Sequence, residues 1–448
     1  MPDVSMRRSP ATRKTGPSSL VALIGTALLG ACSADRPNVP PVARNDATLD
    51  AVAEEYVQLA LAFRRFDGDY VDAYFGPEAW ADVADARSLD ELHDAASALA
   101  ERAATAAASR DPLAERRRAV LEKRIAAMRL RMEMAGGTRI PFDQESMILF
   151  DAVAPDQTVG DFVPILADID ALVPGPGTLA DRVEAFRRQF IIPSDRLDAV
   201  MQAAIDECRR RTLEHIALPD QERFTLEFVT DQPWSGYNWY KGGNFSVIQI
   251  NTDLPIYIER AVDLGCHEGY PGHHTYNVLI EQELVAKRGW VEYTLNPLYG
   301  PQSLISEGSA NFGIDMAFPG NERREFEKQV LFPLAGIDPT LADRYYDLQD
   351  VMAALSYAGN EAARDYLNGE IDAAAAAAWL VDYALSTPER AAQRVRFFDS
   401  YRSYVINYNL GRDLVEAYIE RRAGENTARR WEEFERLLSE PIAAGDLL

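Results

Sequence analysis

Apolar residues recur at three- and four-residue steps through the first half of the chain, a period that predicts helices at 49–66, 89–108, 112–135 and 194–216. Arg64-Arg65-Phe66-Asp67-Gly68-Asp69 reads as a turn between two helices, and Pro174-Gly175-Pro176-Gly177 as a break. The period changes at Phe224. Residues 224–229 and 244–251 alternate as strands do, and the ten residues from Trp234 to Gly243 between them are dense in aromatics and glycine. From about Arg323 onward the helical period returns, notably over 357–366 and 401–422. Tyr404, Tyr408 and Arg412 follow at four-residue steps and so share one helix face. These elements predict a mainly α fold with a small antiparallel β-sheet.

One polar stretch interrupts the pattern where the second strand gives way to helix: Asp263-Leu264-Gly265-Cys266-His267-Glu268-Gly269-Tyr270-Pro271-Gly272-His273-His274. The chain has five histidines, and three fall here beside a glutamate. Imidazoles with a neighbouring carboxylate are what a divalent ion such as zinc prefers. A polar helix start with chance histidines is the plain alternative.

The spacing is not H-E-x-x-H, in which i and i+4 share a helix face about 6 Å apart. Position i+4 is Pro271, and the next histidines lie at i+6 and i+7. On a regular helix His273 faces elsewhere, and His274 sits about 10 Å further along the axis. Pro271 removes a backbone donor and clashes with the preceding turn, while Gly272 adds freedom, so a kink or π-type bulge is expected. With two residues absorbed, His273 becomes the second ligand and His274 points toward substrate; a different distortion would exchange them.

A third ligand is expected from a downstream carboxylate, and Glu307 is the candidate. Its surroundings, Ala310, Phe312, Ile314, Met316 and Ala317, read as buried, and a buried carboxylate needs a partner. A surface glutamate at a helix start is the bland reading. Asn311 and Asp315 follow at helical intervals and are placed to orient the ligating histidines. Glu268 is then free to act as general base.

His267-Glu268-Gly269-Tyr270-Pro271-Gly272-His273-His274, followed by Glu307-Gly308, resembles the bacterial domain of unknown function 885 family. That family looks like a divergent relative of the gluzincin-type zinc metallopeptidases, whose pattern is H-E-x-x-H with a downstream Glu. The resemblance covers about Asp50 to Arg430; where many members carry Trp after Glu-Gly, this chain has Ser309. It implies a helical, two-lobed metallopeptidase-like architecture, with the sheet beside the metal-binding helix. It also implies that the strand before His267 offers its edge to an extended peptide. Tyr237, Asn238 and Tyr240 are then cleft candidates, as an aromatic mini-core is the alternative for each. Tyr408 and Gly411 resemble a Tyr-x-x-Gly near the family's C-terminus. Tyr408 and Arg412 are candidates to bind a carboxylate or an oxyanion, an ordinary interhelical contact being the other reading.

The N-terminus changes the picture of where this happens. Arg7, Arg8, Arg13 and Lys14 precede an apolar run from Leu20 to Leu29, too short to span a bilayer and suited to a signal peptide. Leu29-Gly30-Ala31-Cys32 resembles a lipobox, with cleavage leaving Cys32 lipidated; an ordinary secretory signal with a chance cysteine is the alternative. The organisation expected is a signal peptide at 1–31, a tether at 32–46 and one helical unit at 47–448, with lobes 47–215 and 216–448. Ser33 resembles outer-membrane sorting, so the protein is expected in the bacterial envelope, lipid-anchored and facing the periplasm. Removing residues 1–31, with four basic residues and one acidic, takes the formal charge from −24 to −27. So acidic a chain argues against nucleic acid and anionic lipid surfaces as partners. Cys208 and Cys266 are free to pair in an oxidising compartment, although the spacing alone does not fix this.

The function these observations point to is zinc-dependent hydrolysis of short peptides, with one ion. The alternatives are a metal-dependent hydrolase of a non-peptide amide or ester, and a metal-bound envelope lipoprotein without chemistry.

Overall fold

Helix α1 (Ala47–Phe63), α2 (Leu89–Ala104) and α3 (Pro112–Ala135) pack on one another in a computed structural model that describes residues 47–81, 85–106 and 109–448. The leader, Cys32 and the tether lie outside the described residues. Helix α2 is set by a capping box: the Ser88 hydroxyl accepts from the Glu91 amide, and the Glu91 carboxylate from the Ser88 amide. It stops at Ala104, four residues short of the periodicity-based end. Helix α3 runs over the span expected of it, with Asp111 capping and Pro112 in the first turn, where a missing amide costs nothing. Helices α4 (Phe142–Phe150) and α5 (Leu197–Leu213) complete the N-terminal elements used below.

Five short strands form two sheets among the described residues. Strands β1 (Val71–Tyr74) and β5 (Leu295–Pro297) pair antiparallel. Strands β2 (Arg223–Val229), β3 (Gly236–Tyr240) and β4 (Phe245–Asn251) form a sheet in the order β2-β4-β3. The expectation of an antiparallel sheet is corrected here: β3 and β4 form an antiparallel hairpin, but β2 runs parallel to β4. Strand β4 is therefore central, with both edges taken, while β2 and β3 each keep one edge without a strand partner. That third strand lies in the aromatic and glycine-rich stretch, where its short period was hidden.

Helix α6 (Glu259–Leu264) follows the sheet and passes into a π-helical turn, Gly265–Gly269. The Tyr270–Pro271 peptide bond is cis, and helix α7 (His273–Ile280) starts afresh beyond it. Helix α8 (Pro301–Ala317) carries Glu307 and packs most extensively on α10 (Ile406–Ala423). Helices α9 (Pro388–Tyr401) and α11 (Thr427–Ser439) flank that pair. The stretch expected as one helix over 401–422 is broken by a 3₁₀ turn, Arg402–Val405, which holds Tyr404.

Apolar side chains gather in two buried clusters that do not follow a boundary at 215. One joins residues 49–154 to residues 276–316 and 362–447. The other joins Phe162 through Cys208 to the sheet, to Leu264, Cys266 and Tyr270, and to residues 314–385. The metal motif lies across the seam: the turn bearing His267 is rooted in the second cluster, and α7, starting at His273, in the first. Helix α8 spans both, with Leu304 and Phe312 in one and Ile314 and Ala317 in the other. A disulfide between Cys208 on α5 and Cys266 fastens the His267 turn to its own cluster.

Candidate metal centre

A π turn that ends in a break at Pro271 resolves the stretched spacing, as the expected kink or π-type bulge would. The chain leaves helix at Gly269 and doubles back so that the Gly272 amide donates to the Cys266 carbonyl at 3.0 Å. A side chain at position 272 has no room, since a Cβ there would lie 1.9 Å from the His267 carbonyl oxygen. This return places the His267 and His273 rings edge to face, 4.6 Å between centroids.

Each ring is held through Nδ1. His267 Nδ1 lies 2.9 Å from the Asn311 side-chain oxygen, and the Asn311 amide nitrogen donates to the Tyr408 carbonyl at 2.9 Å. Because that second bond fixes which end of the amide faces the ring, His267 must donate from Nδ1 and keep a lone pair on Nε2. His273 Nδ1 lies 3.0 Å from the Ser306 hydroxyl. Both Nε2 atoms then point at Glu307 Oε2, at 3.1 Å from His267 and 3.7 Å from His273.

Glu307 is 6 % exposed, and its Oε1 accepts from the Tyr404 hydroxyl at 2.7 Å. Its Oε2 is buried without a hydrogen-bond partner. Burial alone would raise this carboxyl, yet the two imidazoles beside it hold it well below the usual range. Burial likewise works against a charged His273, but Glu307, Glu268 and Asp72 outweigh it and raise the imidazole to about 9. Ligands about 2.0–2.1 Å from a tetrahedral ion sit roughly 3.4 Å from one another, which the Glu307–histidine separations match. A cation at the convergence point would satisfy the orphaned Oε2 and take the place of the proton that Glu307 otherwise favours on His273. The donor set therefore fits a divalent metal ion.

Close backbone approach brings the Glu307 partners in. A Cβ at Gly308 would lie 2.4 Å from the Gly411 carbonyl, and one at Gly411 2.8 Å from the Leu304 carbonyl. Two glycines in register let α8 and α10 touch, so Tyr404 and Tyr408 stand over the carboxylate. Glu268 is 4 % exposed, and burial pushes its carboxyl up against the opposing pull of His267 and His273. The ligand atoms of His267, Glu268 and His273 all lie within 4.8 Å of one another, so these three residues form a cluster able to hold a metal ion. The Glu268 backbone carbonyl accepts from the Asn238 side chain at 2.7 Å, tying β3 to the motif.

The cluster opens into a cleft of about 1200 Å³. Tyr237, Asn238, Tyr408, Arg412 and Asp315 reach its wall, but their roles differ from those expected for some. Asp315 pairs with Arg412 at 2.8 Å and touches neither ligating histidine. Arg412 is held also by Glu416 at 2.9 Å, so its charge is largely spent within the protein. Tyr240 is withdrawn from the cleft: it is buried, donates to Glu281 and packs on Phe75. The largest correction concerns His274. It is 0 % exposed and faces away from the cleft, with Nδ1 sharing a hydrogen bond with Ser246 at 2.8 Å and Nε2 donating to Glu222 at 2.9 Å. Adjacent positions on α7 point about 100° apart, so bringing His273 inward sends His274 to the sheet.

Some cleft residues carried no signal in the sequence. Asp72, on a four-residue strand with no visible period, accepts from the Tyr237 hydroxyl. Burial raises its carboxyl to about 6 despite that bond. Ser306, within α8 one position before Glu307, likewise carried no signal of its own.

No family model matches the chain, and no curated protein does. Two of the solved structures that are similar to it are the following. One is a candidate lipoprotein from Colwellia psychrerythraea, with a TM-score of 0.50 and 13% identity over 89% of this chain and 71% of that one. The other is a candidate lipoprotein of unknown function from Shewanella oneidensis, with a TM-score of 0.43 and 13% identity over 80% of this chain and 72% of that one. The first likeness is one of fold. No helix among the described residues is long and apolar enough to cross a membrane.

Proposed function

We propose that this chain is a zinc-dependent hydrolase of the bacterial envelope, acting on short peptides and tethered by lipid at Cys32. The observation that carries the reading is the buried Oε2 of Glu307, which has no hydrogen-bond partner and faces two imidazole Nε2 atoms whose other nitrogens are taken. His267, His273 and Glu307 hold the ion. When bound, zinc supplies the Lewis acidity that polarises a carbonyl and acidifies water. Glu268, kept basic enough by its burial, takes the proton of the attacking water and returns it to the leaving amine. The Tyr408 hydroxyl, which lines the same cleft, is a donor for the developing oxyanion. The unpaired edge of β3, at Gly236, Tyr237 and Asn238, gives an extended peptide its backbone partners. The resemblance to the domain of unknown function 885 family and to gluzincins supports the same chemistry. The Cys208–Cys266 disulfide suits an oxidising compartment outside the cytoplasm.

A second reading rests on Glu268 itself. Its carboxylate lies close enough to both histidines to ligate alongside Glu307, and four protein ligands would close the site. The protein would then be a metal-holding envelope lipoprotein without chemistry. The test is metal analysis of the purified full chain together with a panel of short fluorogenic peptides, amides and esters. The hydrolase reading expects about one zinc per chain and peptide cleavage that stops on chelation and returns with zinc. Stoichiometric zinc with no cleavage of any substrate favours the closed site, and cleavage indifferent to chelation removes metal from the mechanism.

A further inference from the structure

The cleft continues past the metal centre along α7 and α8 to an inner end. On α7, His273, Tyr276, Asn277 and Ile280 fall on one face and all line it. On α8 the wall continues from Glu307 back through Ser306 and Ser303 to Gln302. One to two helical turns, about 5–10 Å, separate this end from His273. An extended peptide covers that distance in two or three residues.

Arg124, on α3, lines the cleft together with Tyr276 and Tyr293. It is 2 % exposed, and its guanidinium stacks over the Tyr293 ring at 4.6 Å. One terminal nitrogen donates to the Glu292 carbonyl at 2.8 Å, while Nε is buried without a partner. No carboxylate lies within ion-pair distance of it among the described residues. The other strongly buried arginine of this core, Arg117, shows what is missing: it meets the Glu292 carboxylate with two nitrogens, at 2.6 and 2.9 Å, and Asp50 at 2.7 Å. A buried, unpaired cation is costly, and removing a guanidinium from water without an anion needs a reason.

Gln302 supplies the second observation. It is 7 % exposed, reaches the same cleft, and neither atom of its side-chain amide has a hydrogen-bond partner. The two residues lie in one neighbourhood. Leu298, which also lines the cleft, donates its amide to the Tyr70 carbonyl at 2.9 Å and accepts through its own carbonyl from the hydroxyl of Ser303, next to Gln302, at 2.6 Å. Arg124 meets the same segment of chain at the Glu292 carbonyl and the Tyr293 ring, just before Leu298. An amide with both ends free and a guanidinium with no anion make a receptor for a carboxylate: the cation pairs with it, the amide N–H donates to it, and the amide oxygen accepts from an adjoining peptide N–H.

We infer that the inner end of the cleft, at Arg124 and Gln302, is a carboxylate-binding subsite that takes one free carboxyl group of a short peptide two or three residues from the metal centre. This deepens the hydrolase reading by naming the substrate class, and it is tested by binding so that the two stand or fall separately. The carboxyl can be the peptide's C-terminus or an acidic side chain.

The test uses the zinc-loaded full chain carrying E268Q, titrated calorimetrically with trialanine, trialanine amide and Ala-Glu-Ala amide. Trialanine should bind at least about tenfold more tightly than its amide, the discrimination a charge-assisted contact gives. R124Q should reduce that ratio to near one. Q302L, which keeps the volume and leaves the Arg124 packing in place, should lower it several-fold and guards against a misfolded R124Q. If Ala-Glu-Ala amide binds as tightly as trialanine, the side chain is the source of the carboxyl; if it binds like the neutral amide, the C-terminus is. Equal binding of acid and amide overturns the subsite. So does a preference that survives both substitutions, because it would come from the metal alone. If the parent chain cleaves no peptide but the acid preference vanishes in R124Q, the subsite stands and the hydrolase reading falls.

Discussion

His273 and His274 are neighbours in sequence, yet they sit in opposite kinds of polar cluster. Around His274 the protein has supplied every partner itself. Its two nitrogens meet Ser246 and Glu222, and Glu222 also accepts from Tyr270 and, at 2.6 Å, from Arg209. Around His273 the accounting stops one partner short. Asn311 and Ser306 take both Nδ1 atoms and Tyr404 takes one Glu307 oxygen, while two Nε2 atoms and the other oxygen converge with no bond among them that satisfies all three. Buried polar atoms are normally paired, so a set left open by neighbours this well ordered marks a place for something from outside. A histidine with a carboxylate beside it is therefore not a ligand by composition. What counts is whether the other groups leave its lone pair unclaimed.

The comparison is broken most sharply by removing one histidine from each cluster. H267A or H273A each deletes a whole coordinate bond, so zinc retained after dialysis should fall from about one per chain to near zero. H274A should keep its zinc. Metal content by mass spectrometry decides between them, and a metal-free H274A beside a loaded H273A would reverse the assignment.

Next in size is E268Q. If Glu268 works as the base, zinc stays near one per chain while turnover drops by roughly 10²–10⁴-fold. If it is instead a fourth ligand, affinity for zinc weakens in the same variant. Measured together, metal content and turnover separate an open site from a closed one.

How much of this was legible beforehand follows the same division. The histidine motif, Glu307 and Asn311 could be found because their types and helical intervals are local, and α3 matched its predicted span because its cap and its Pro112 are local too. The side on which His274 would lie was not legible. It depends on a π turn and a return through Gly272, and the partner that claims it, Glu222, lies 52 residues away in a stretch with no motif. Strand β3 was obscured because its five residues alternate too briefly among aromatics that pack on both faces. Asp72 and Arg124 reach the cleft only through tertiary packing, and nothing in their neighbours announces it. The parallel pairing of β2 with β4 was lost for a related reason: two alternating segments look alike in either direction.

H274A should also show what a self-satisfied cluster contributes. Burial would raise the Glu222 carboxyl, but hydrogen bonds from His274, Tyr270 and Arg209 hold it down at about 2. A carboxyl depressed in the folded state stabilises above its unfolded value, and that stability is lost as the pH falls toward 2. Removing His274 leaves a cavity and takes a hydrogen bond from a buried carboxylate, a loss of about 3 kcal/mol. Chemical denaturation of H274A at neutral pH should show that loss with zinc content unchanged. The variant's stability should also fall less steeply than the parent's between pH 4 and 2.

The finest test concerns what holds His273 in place. Ser306 and Asn311 both face an Nδ1 atom, but they constrain their histidines differently. Asn311 is pinned by the Tyr408 carbonyl, so it presents only an acceptor and fixes the tautomer of His267 as well as its orientation. The Ser306 hydroxyl can rotate to donate or accept, so it fixes the ring of His273 without choosing where the proton sits. S306A should therefore weaken zinc by about tenfold, the low end of what an outer-shell partner contributes, and N311A by more. Competition with a chelator of known affinity measures both on the same scale. The effect of S306A should appear in metal affinity and not in folding stability, because the hydroxyl supports a ligand and not the core. An affinity for zinc unchanged in S306A would mean that the packing of α7 alone aims His273, and the hydrogen bond from α8 would lose its place in the site.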